Sequence, residues 1–322
     1  MRLLNLLSAV GFAGSTLMLS SCESKQEQHT APDITFVVAA DLHFDYLPET
    51  DQFCHVVAIN KLPGTFVWPD SSLFAGDTLS TFSSVIIAGD IFDKPIPEAI
   101  DLCTQRYFTK GESERQLSVP CFPGYGNHDI NPFSKDSIAN LAGRAAAFQF
   151  MDSLLSLKQQ QGEIANLHPS SRSYSWTDGG VHFVQLQAYG GDATYCESNL
   201  DWLRDDLLHY AQDGKPVVIV QHYGFDKWAI EWWPQAERDQ LFDILEPYNV
   251  KGFFVGHTHI ASVESYRGVP IYQVNNAWPD GSGKASFAVA RIVGNQLSVV
   301  NCQWTDSIGT HEVTAPFLNI TE

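Results

Sequence analysis

The chain has 322 residues with 19 basic and 37 acidic side chains, a formal net charge of −18. Such a surface repels polyanions, which excludes binding to long nucleic acid by counterion release. A small phosphorylated ligand stays open, because bound metal ions can invert a local field. Hydrophobic residues make up 44% of the sequence, enough for a full core, and no internal repeat or low-complexity tract divides it.

Residues 1–21 carry Arg2, then an apolar stretch with small residues, a signal-peptide pattern. The stretch ends Leu19-Ser20-Ser21-Cys22, which resembles the lipobox of bacterial lipoproteins. That resemblance implies cleavage before Cys22, a lipid on its thiol, and a membrane anchor in the bacterial cell envelope. An uncleaved membrane helix fits less well, since Leu3 to Leu19 is short for a span. Residues 22–32 are polar and aperiodic, as a flexible tether would be, and one domain is expected over 33–322. Five further cysteines remain, Cys54, Cys103, Cys121, Cys196 and Cys302, so at least one stays unpaired within the chain. Cys103 and Cys121 flank one connection and are the first pair expected to bridge outside the cytoplasm.

Within the domain, β-rich apolar runs alternate with helical spacing. Ile34–Ala39 reads as a buried strand, followed by Ser84–Ala88 and Ser118–Phe122, with a helix over Ile96–Phe108. Ser137–Leu157 is rich in Ala and Leu and reads as one long helix or two, with Ser134 or Asp136 as a cap. Tyr174–Trp176 and Val181–Leu186 flank Asp178-Gly179-Gly180, a hairpin signal. Leu200–Tyr210 is an amphipathic helix, Val217–Val220 a buried strand, Ala236–Leu245 a helix and Gly252–Val255 a strand. From Ile260 to Trp304 strands and turns alternate. The mixture predicts an α/β fold of two packed β-sheets flanked by helices.

Five short segments each follow a predicted strand: Asp41-Leu42-His43, Gly89-Asp90-Ile91-Phe92-Asp93, Gly126-Asn127-His128-Asp129, Gln221-His222 and Gly256-His257-Thr258-His259. Strand ends are where α/β folds gather ligands. If the chain stays extended there, Asp41 and His43, or His257 and His259, point the same way. The leading glycines permit sharp turns and close backbone approach. Imidazole, carboxylate and amide oxygen together suit Zn²⁺, Mn²⁺ or Fe, and the set is too large for one tetrahedral ion. Any one segment alone is more often a surface or turn motif; the whole set in order has no structural explanation.

These blocks resemble the calcineurin-like metallophosphoesterases, whose pattern runs D-x-H, GD-x-x-D, GNH-[DE], a lone H and GH-x-H. All five stand here in order, from residue 41 to residue 259. The resemblance implies an αββα sandwich and hydrolysis of a phosphoester by a hydroxide held between two divalent ions. By it, Asp41, His43 and His259 would bind one ion, Asn127, His222 and His257 the other, and Asp90 both. His128 would protonate the leaving oxygen or stabilise the charged transition state. Asp93 and Asp129 would hold imidazoles in one orientation, or else cap a loop or helix. The purple acid phosphatase branch carries Tyr where this chain has Asp93, so no tyrosinate–iron site is implied.

After His222 the chain runs through Trp228, Trp232 and Trp233, and Trp278 is expected near the same rim. These rings read either as core or as a wall that packs an apolar or ring-bearing leaving group. Arg238 could clamp a phosphate or pair with Asp239 or Asp243. A phosphomonoesterase or phosphodiesterase acting on a small organic phosphate is the leading expectation. A pyrophosphohydrolase of nucleotides or nucleotide sugars comes second. A non-catalytic lipoprotein binding a glycan or partner through the Trp-rich loop comes third.

Overall fold

The computed structural model describes residues 31–44, 54–111, 113–131, 137–226, 229–277, 285–304 and 311–313. The leader, Cys22 and the proposed caps Ser134 and Asp136 lie outside them. Elements follow the hydrophobic pattern: β1 (Asp33–Ala39), α1 (Cys54–Asn60), β2 (Val85–Ile87), α2 (Pro97–Cys103), β3 (Cys121–Phe122), α3 (Asn127–Ile130) and α4 (Ser137–Gln160). Next come β4 (Asn166–Leu167), β5 (Tyr174–Asp178), β6 (Val181–Gln185), α5 (Leu200–Tyr210), β7 (Val217–Val220) and α6 (Gln235–Leu245). The chain continues with β8 (Val250–Val255), β9 (Ser262–Tyr266), β10 (Val269–Gln273), β11 (Ser286–Val293), β12 (Gln296–Trp304) and β13 (His311–Val313).

The strands form two mixed sheets. One has six strands in the order β13-β12-β11-β1-β2-β3; the other has seven, β4-β5-β6-β7-β8-β10-β9. In the first, β1 runs parallel to β2 and antiparallel to β11. In the second, β6, β7 and β8 are parallel neighbours. The sheets meet through aromatic rings. Phe36 on β1 sets its edge against Phe183 on β6 and Phe254 on β8, at 5.1 and 5.8 Å between centroids. Phe122 on β3 stacks on Trp176 on β5 at 3.9 Å. Truncating such a ring in a close-packed core costs about 3–5 kcal/mol. This packing brings the carboxyl ends of β1, β2 and β3 to face those of β7 and β8.

Several elements differ from the sequence reading. Helix α4 is a single helix reaching Gln160. Helix α2 runs on as a π-helical turn, Thr104–Phe108. The seven-residue α1 was not expected; it is shorter than a convincing helical periodicity. Cys103 and Cys121 are buried free thiols and do not bridge. Burial pushes both thiols well above their usual range, so they pack as small apolar side chains. No helix among the described residues is long and apolar enough to cross a membrane.

Candidate metal centre

The site begins where the strands stop. Asp41, His43, Asp90, His257 and His259 all have positive φ, between 43° and 85°. The extended backbone expected for the Asp-x-His and His-x-His pairs is therefore absent. Each strand end curls into the left-handed region instead, a conformation that non-glycine residues adopt only when surroundings impose it. Backbone bonds impose it here: Asp41 N–H donates to Gly89 O (3.0 Å), His43 N–H to Asp90 O (3.1 Å) and Phe44 N–H to Ile91 O (3.0 Å). Two glycines let these loops close in. A Cβ on Gly89 would sit 2.4 Å from His222 Nδ1, and one on Gly126 would sit 2.3 Å from Asp90 Oδ1.

Buried carboxylates finish the scaffold. Asp41 accepts the His257 N–H at 2.9 and 3.1 Å. Asp90 Oδ1 accepts the His128 N–H at 2.8 Å. Asp129 accepts from the backbone of Ile91, Phe92 and Gly126 at 3.1, 2.9 and 2.7 Å. It therefore caps the short helix α3 and ties it to the Asp90 loop; it holds no imidazole, as the alternative reading of this residue had it. Asp93 does hold one imidazole: its Oδ1 lies 3.2 Å from His128 Nδ1, while His43 Nδ1 is farther, at 3.8 Å.

Seven candidate ligands converge on this scaffold. Asp41, His43 and His259 offer donor atoms to one point, with His43 Nε2 3.1 Å from His259 Nε2 and His259 Nε2 3.5 Å from Asp41 Oδ1. Asp41, Asp90 and His222 form an adjoining group. His222 Nε2 lies 3.3 Å from Asp90 Oδ2 and 2.9 Å from Asn127 Oδ1, and its Nδ1 meets the Ala88 carbonyl at 3.0 Å. That carbonyl accepts a proton on Nδ1 and leaves Nε2 as the ligating nitrogen. Asp90 Oδ2 also lies 3.9 Å from His43 Nε2, so one oxygen faces both groups. The His257 ring is centred 5.1 Å from that of His222.

The electrostatics alternate. Burial drives His43 and His257 down to about 4, so both are neutral near pH 7. Burial also opposes charge on His222 and His128, yet carboxylates win at both. Asp90 raises His222 to about 9, and the Asp93 bond with the Asp90 charge raises His128 to about 9. Asp90 itself, despite burial, is held far below the carboxylate range by His222, His128 and His43. Asp41 is lowered too, burial notwithstanding, by its bond to His259 and the charges of His259 and His222. A neutral imidazole is ready to ligate; a charged one must first lose a proton.

The family model for calcineurin-like phosphoesterases matches residues 34–261. The chain belongs to this family. No curated protein matches it. Among solved structures, it is similar to a dimetal phosphatase from Danio rerio, at 14% identity and a TM-score of 0.53, covering 89% of this chain and 99% of that one. It is also similar to a purple acid phosphatase from yellow lupin seeds, at 13% identity and a TM-score of 0.56, covering 90% of this chain and 54% of that one. At such identities these likenesses speak for the fold alone.

Beside the ligands the phosphoesterase has a cavity of about 440 Å³, lined by Asn127, His128, Tyr189, Tyr195, Tyr223 and Trp232 among others. Trp232 is 50% exposed, stacks on Tyr223 at 5.9 Å and lies perpendicular to the His257 ring at 5.9 Å. Trp233, by contrast, is wholly buried against Phe225 and Tyr189, so it is core and does not line the cavity. Arg238 is also buried; it donates Nε–H to the Trp233 carbonyl at 2.8 Å and lies over the Phe225 and Trp233 rings. It reaches neither a phosphate site nor its acidic neighbours, because Arg238, Leu241, Phe242 and Leu245 share one buried helix face. Trp228 and Trp278 lie outside the described residues. The sequence reading passed over Tyr189, Asp192 and Tyr195. Their signal was positional: they follow β6, as the ligand blocks follow other strands. A second cavity, of about 490 Å³, lies at the amino end of β1, where Arg291 pairs with Asp33 and Asp77 away from the imidazoles.

Proposed function

We propose that this phosphoesterase cleaves a phosphomonoester or phosphodiester of a small organic molecule with the help of two divalent ions, Mn, Zn or Fe. One observation carries the reading. Asp41 and Asp90 are both buried, and among the described residues their ion-pair partners are imidazoles alone. Two buried carboxylates facing imidazole nitrogens without a Lys or Arg are a cation site by charge and by donor chemistry. Asp41, His43 and His259 would hold one ion, Asn127, His222 and His257 the other, with Asp90 shared. Bound there, the ions would supply Lewis acidity toward the phosphoryl oxygens and acidify the attacking water.

The chain's own residues do the rest. Asp93 accepts a hydrogen bond from His128 Nδ1–H and fixes its ring, which would present Nε2 to the leaving oxygen as proton donor. In the metal-free chain, against its burial, the bond to Asp93 and the Asp90 charge raise His128 to about 9. The cavity beside it receives the organic part of the ester. The same reading includes export and anchoring at Cys22, supported by the Leu19–Cys22 boundary. Mass spectrometry of the mature N-terminus should show an acylated Cys22; an intact Met1 would count against it.

The test of the reaction is a panel of phosphomonoesters, phosphodiesters and nucleotide sugars, assayed before and after chelation. Turnover should vanish with the metals and return with Mn, Zn or Fe. Turnover that survives complete metal removal would overturn the reading, as would metal-loaded protein inert toward every ester.

A further inference from the structure

Five aspartates are buried among the described residues: Asp41, Asp90, Asp129, Asp192 and Asp206. Four have evident compensation. Asp41 and Asp90 face imidazoles, Asp129 takes three backbone N–H groups, and Asp206 takes His182, Ser175 and Asn166. Asp192 is 5% exposed and has less. Its Oδ1 accepts the Thr194 N–H at 2.8 Å, and the Tyr189 hydroxyl bonds it as well, but no ion pair reaches it from any described residue. A buried charge without a counter-charge is costly unless a ligand supplies one.

Asp192 lies on the wall of the cavity beside the metal centre, among Tyr189, Tyr195, Tyr223 and Trp232. No Lys or Arg is on that wall, and its one imidazole, His128, is engaged by Asp93. The Tyr195 ring already holds a cation on one side: the Arg144 guanidinium sits 3.8 Å from its centroid while bonding the Ile130 carbonyl. Aromatic faces grouped around a carboxylate attract cations, most strongly where water is excluded, and quaternary ammonium groups are recognised this way.

We propose that this cavity is a subsite for a cationic leaving group, an alkylammonium of the quaternary type, held by Asp192 and the rings of Tyr189, Tyr195, Tyr223 and Trp232. The ester bond would then lie at the cavity mouth, beside His128. Hydrolysis would give inorganic phosphate, or a phosphomonoester from a diester, and an ammonium alcohol that leaves with the proton from His128. The assignment rests on the phosphoesterase reading for its reaction, though not for its binding.

Two isosteric probes test it, phosphocholine and 3,3-dimethylbutyl phosphate, in which carbon replaces the quaternary nitrogen and removes its charge. At equal metal occupancy the wild type should favour the cationic ester roughly ten- to thirtyfold in kcat/KM. Asp192→Asn keeps an acceptor for the Thr194 N–H but loses the charge, and should bring that ratio toward one. Equal turnover of both esters by the wild type overturns the proposal, and so does a preference that Asp192→Asn leaves intact. Preference for a neutral ring-bearing ester, which would mark a stacking site, overturns it too. If Asp192→Asn does not fold, Trp232→Leu at a half-exposed position serves in its place and should shrink the same ratio; an unchanged ratio then counts against the cage. If neither ester is turned over while other esters are, the proposal fails; if metal-loaded protein turns over no ester of any class, the phosphoesterase reading is at fault and binding decides the subsite. Titration calorimetry should show saturable tetramethylammonium binding, weaker for tert-butanol and lost in Asp192→Asn. No saturable binding by the wild type overturns the subsite.

Discussion

The ligand cradle is held together by backbone hydrogen bonds and buried carboxylates, whereas the wall beside it is held by rings resting on rings. Asp41, Asp90 and Asp129 each clamp amide N–H groups of a neighbouring loop, so the cradle has its shape whatever lies in the cavity. Tyr223 and Trp232 stack at 5.9 Å, Tyr189 tilts against Tyr223 at 5.7 Å with only its hydroxyl hydrogen-bonded, and Trp232 stays half exposed. Hydrogen bonds set geometry to a fraction of an ångström; ring packing sets a surface and tolerates exchange. The cradle should therefore govern whether the reaction occurs, and the wall which ester undergoes it.

The largest effect should come from Asp90→Ala. Losing the carboxylate that faces both ligand groups should deplete metal by elemental analysis and remove several kcal/mol of transition-state stabilisation, on the order of 10³-fold in turnover. A mutant that keeps two tightly bound ions would break the assignment of Asp90 as shared. His128→Ala should keep its metals yet lose about 10²–10⁴-fold on esters with poor leaving groups. Nitrophenyl esters need little proton assistance and should lose far less. An equal loss on alkyl and nitrophenyl esters would point to a role other than proton donation.

The two adjacent tryptophans, Trp232 in the wall and Trp233 in the core behind it, sharpen the contrast. Trp233→Ala should cost about 3–5 kcal/mol of stability, read by denaturant unfolding, because a buried ring leaves a cavity. Trp232→Ala should melt close to the wild type and change the ratio of kcat/KM between bulky and small esters by about tenfold. If both mutants lose stability alike and neither alters selectivity, the wall has no part in choosing the substrate. The smallest effect concerns pH. Burial alone would lower His222, but Asp90 raises it to about 9, so in the metal-free chain it is protonated at neutral pH. An incoming metal must displace that proton. Affinity should thus climb by about tenfold per pH unit for one displaced proton between roughly pH 6 and 8. A flat dissociation constant for Mn²⁺ or Zn²⁺ over that range would show that His222 is neutral or does not ligate.

How far the sequence could be read follows the same divide. The ligand blocks were legible because each is a short string at the end of an apolar strand, and the strands carry strong local patterns. The two sheets followed from those strands, though the seven-residue α1 and the two-residue β4 were too short to signal themselves. The local geometry of Asp41 and His43 was read as extended. Nothing in spacing records that a strand has ended and that bonds from another loop have turned φ positive. Trp232 and Trp233 look equivalent in sequence, and only the tertiary packing of Phe225 and Tyr189 separates them. Arg238 was misplaced because its charge outweighed its position on the face shared with Leu241 and Leu245. Asp192 and Tyr195 belong to a loop without periodicity, and their meaning appears only when the cavity does.

The left-handed backbone at the strand ends has a consequence for how such a chain ages. Five of the eight described non-glycine residues with positive φ are candidate ligands. At each of them an L-residue costs roughly 1–2 kcal/mol that glycine would not. The positions that make the molecule an enzyme are thus ones where a single change to glycine would ease the backbone. A lineage released from the need to turn over its ester could recover that strain at His257 and His259, which are partly exposed, whereas glycine at Asp41 or Asp90 would forfeit the bonds their buried carboxylates accept from neighbouring N–H groups. Its descendants would keep the sandwich and the two aspartates and lose the partly exposed histidines first.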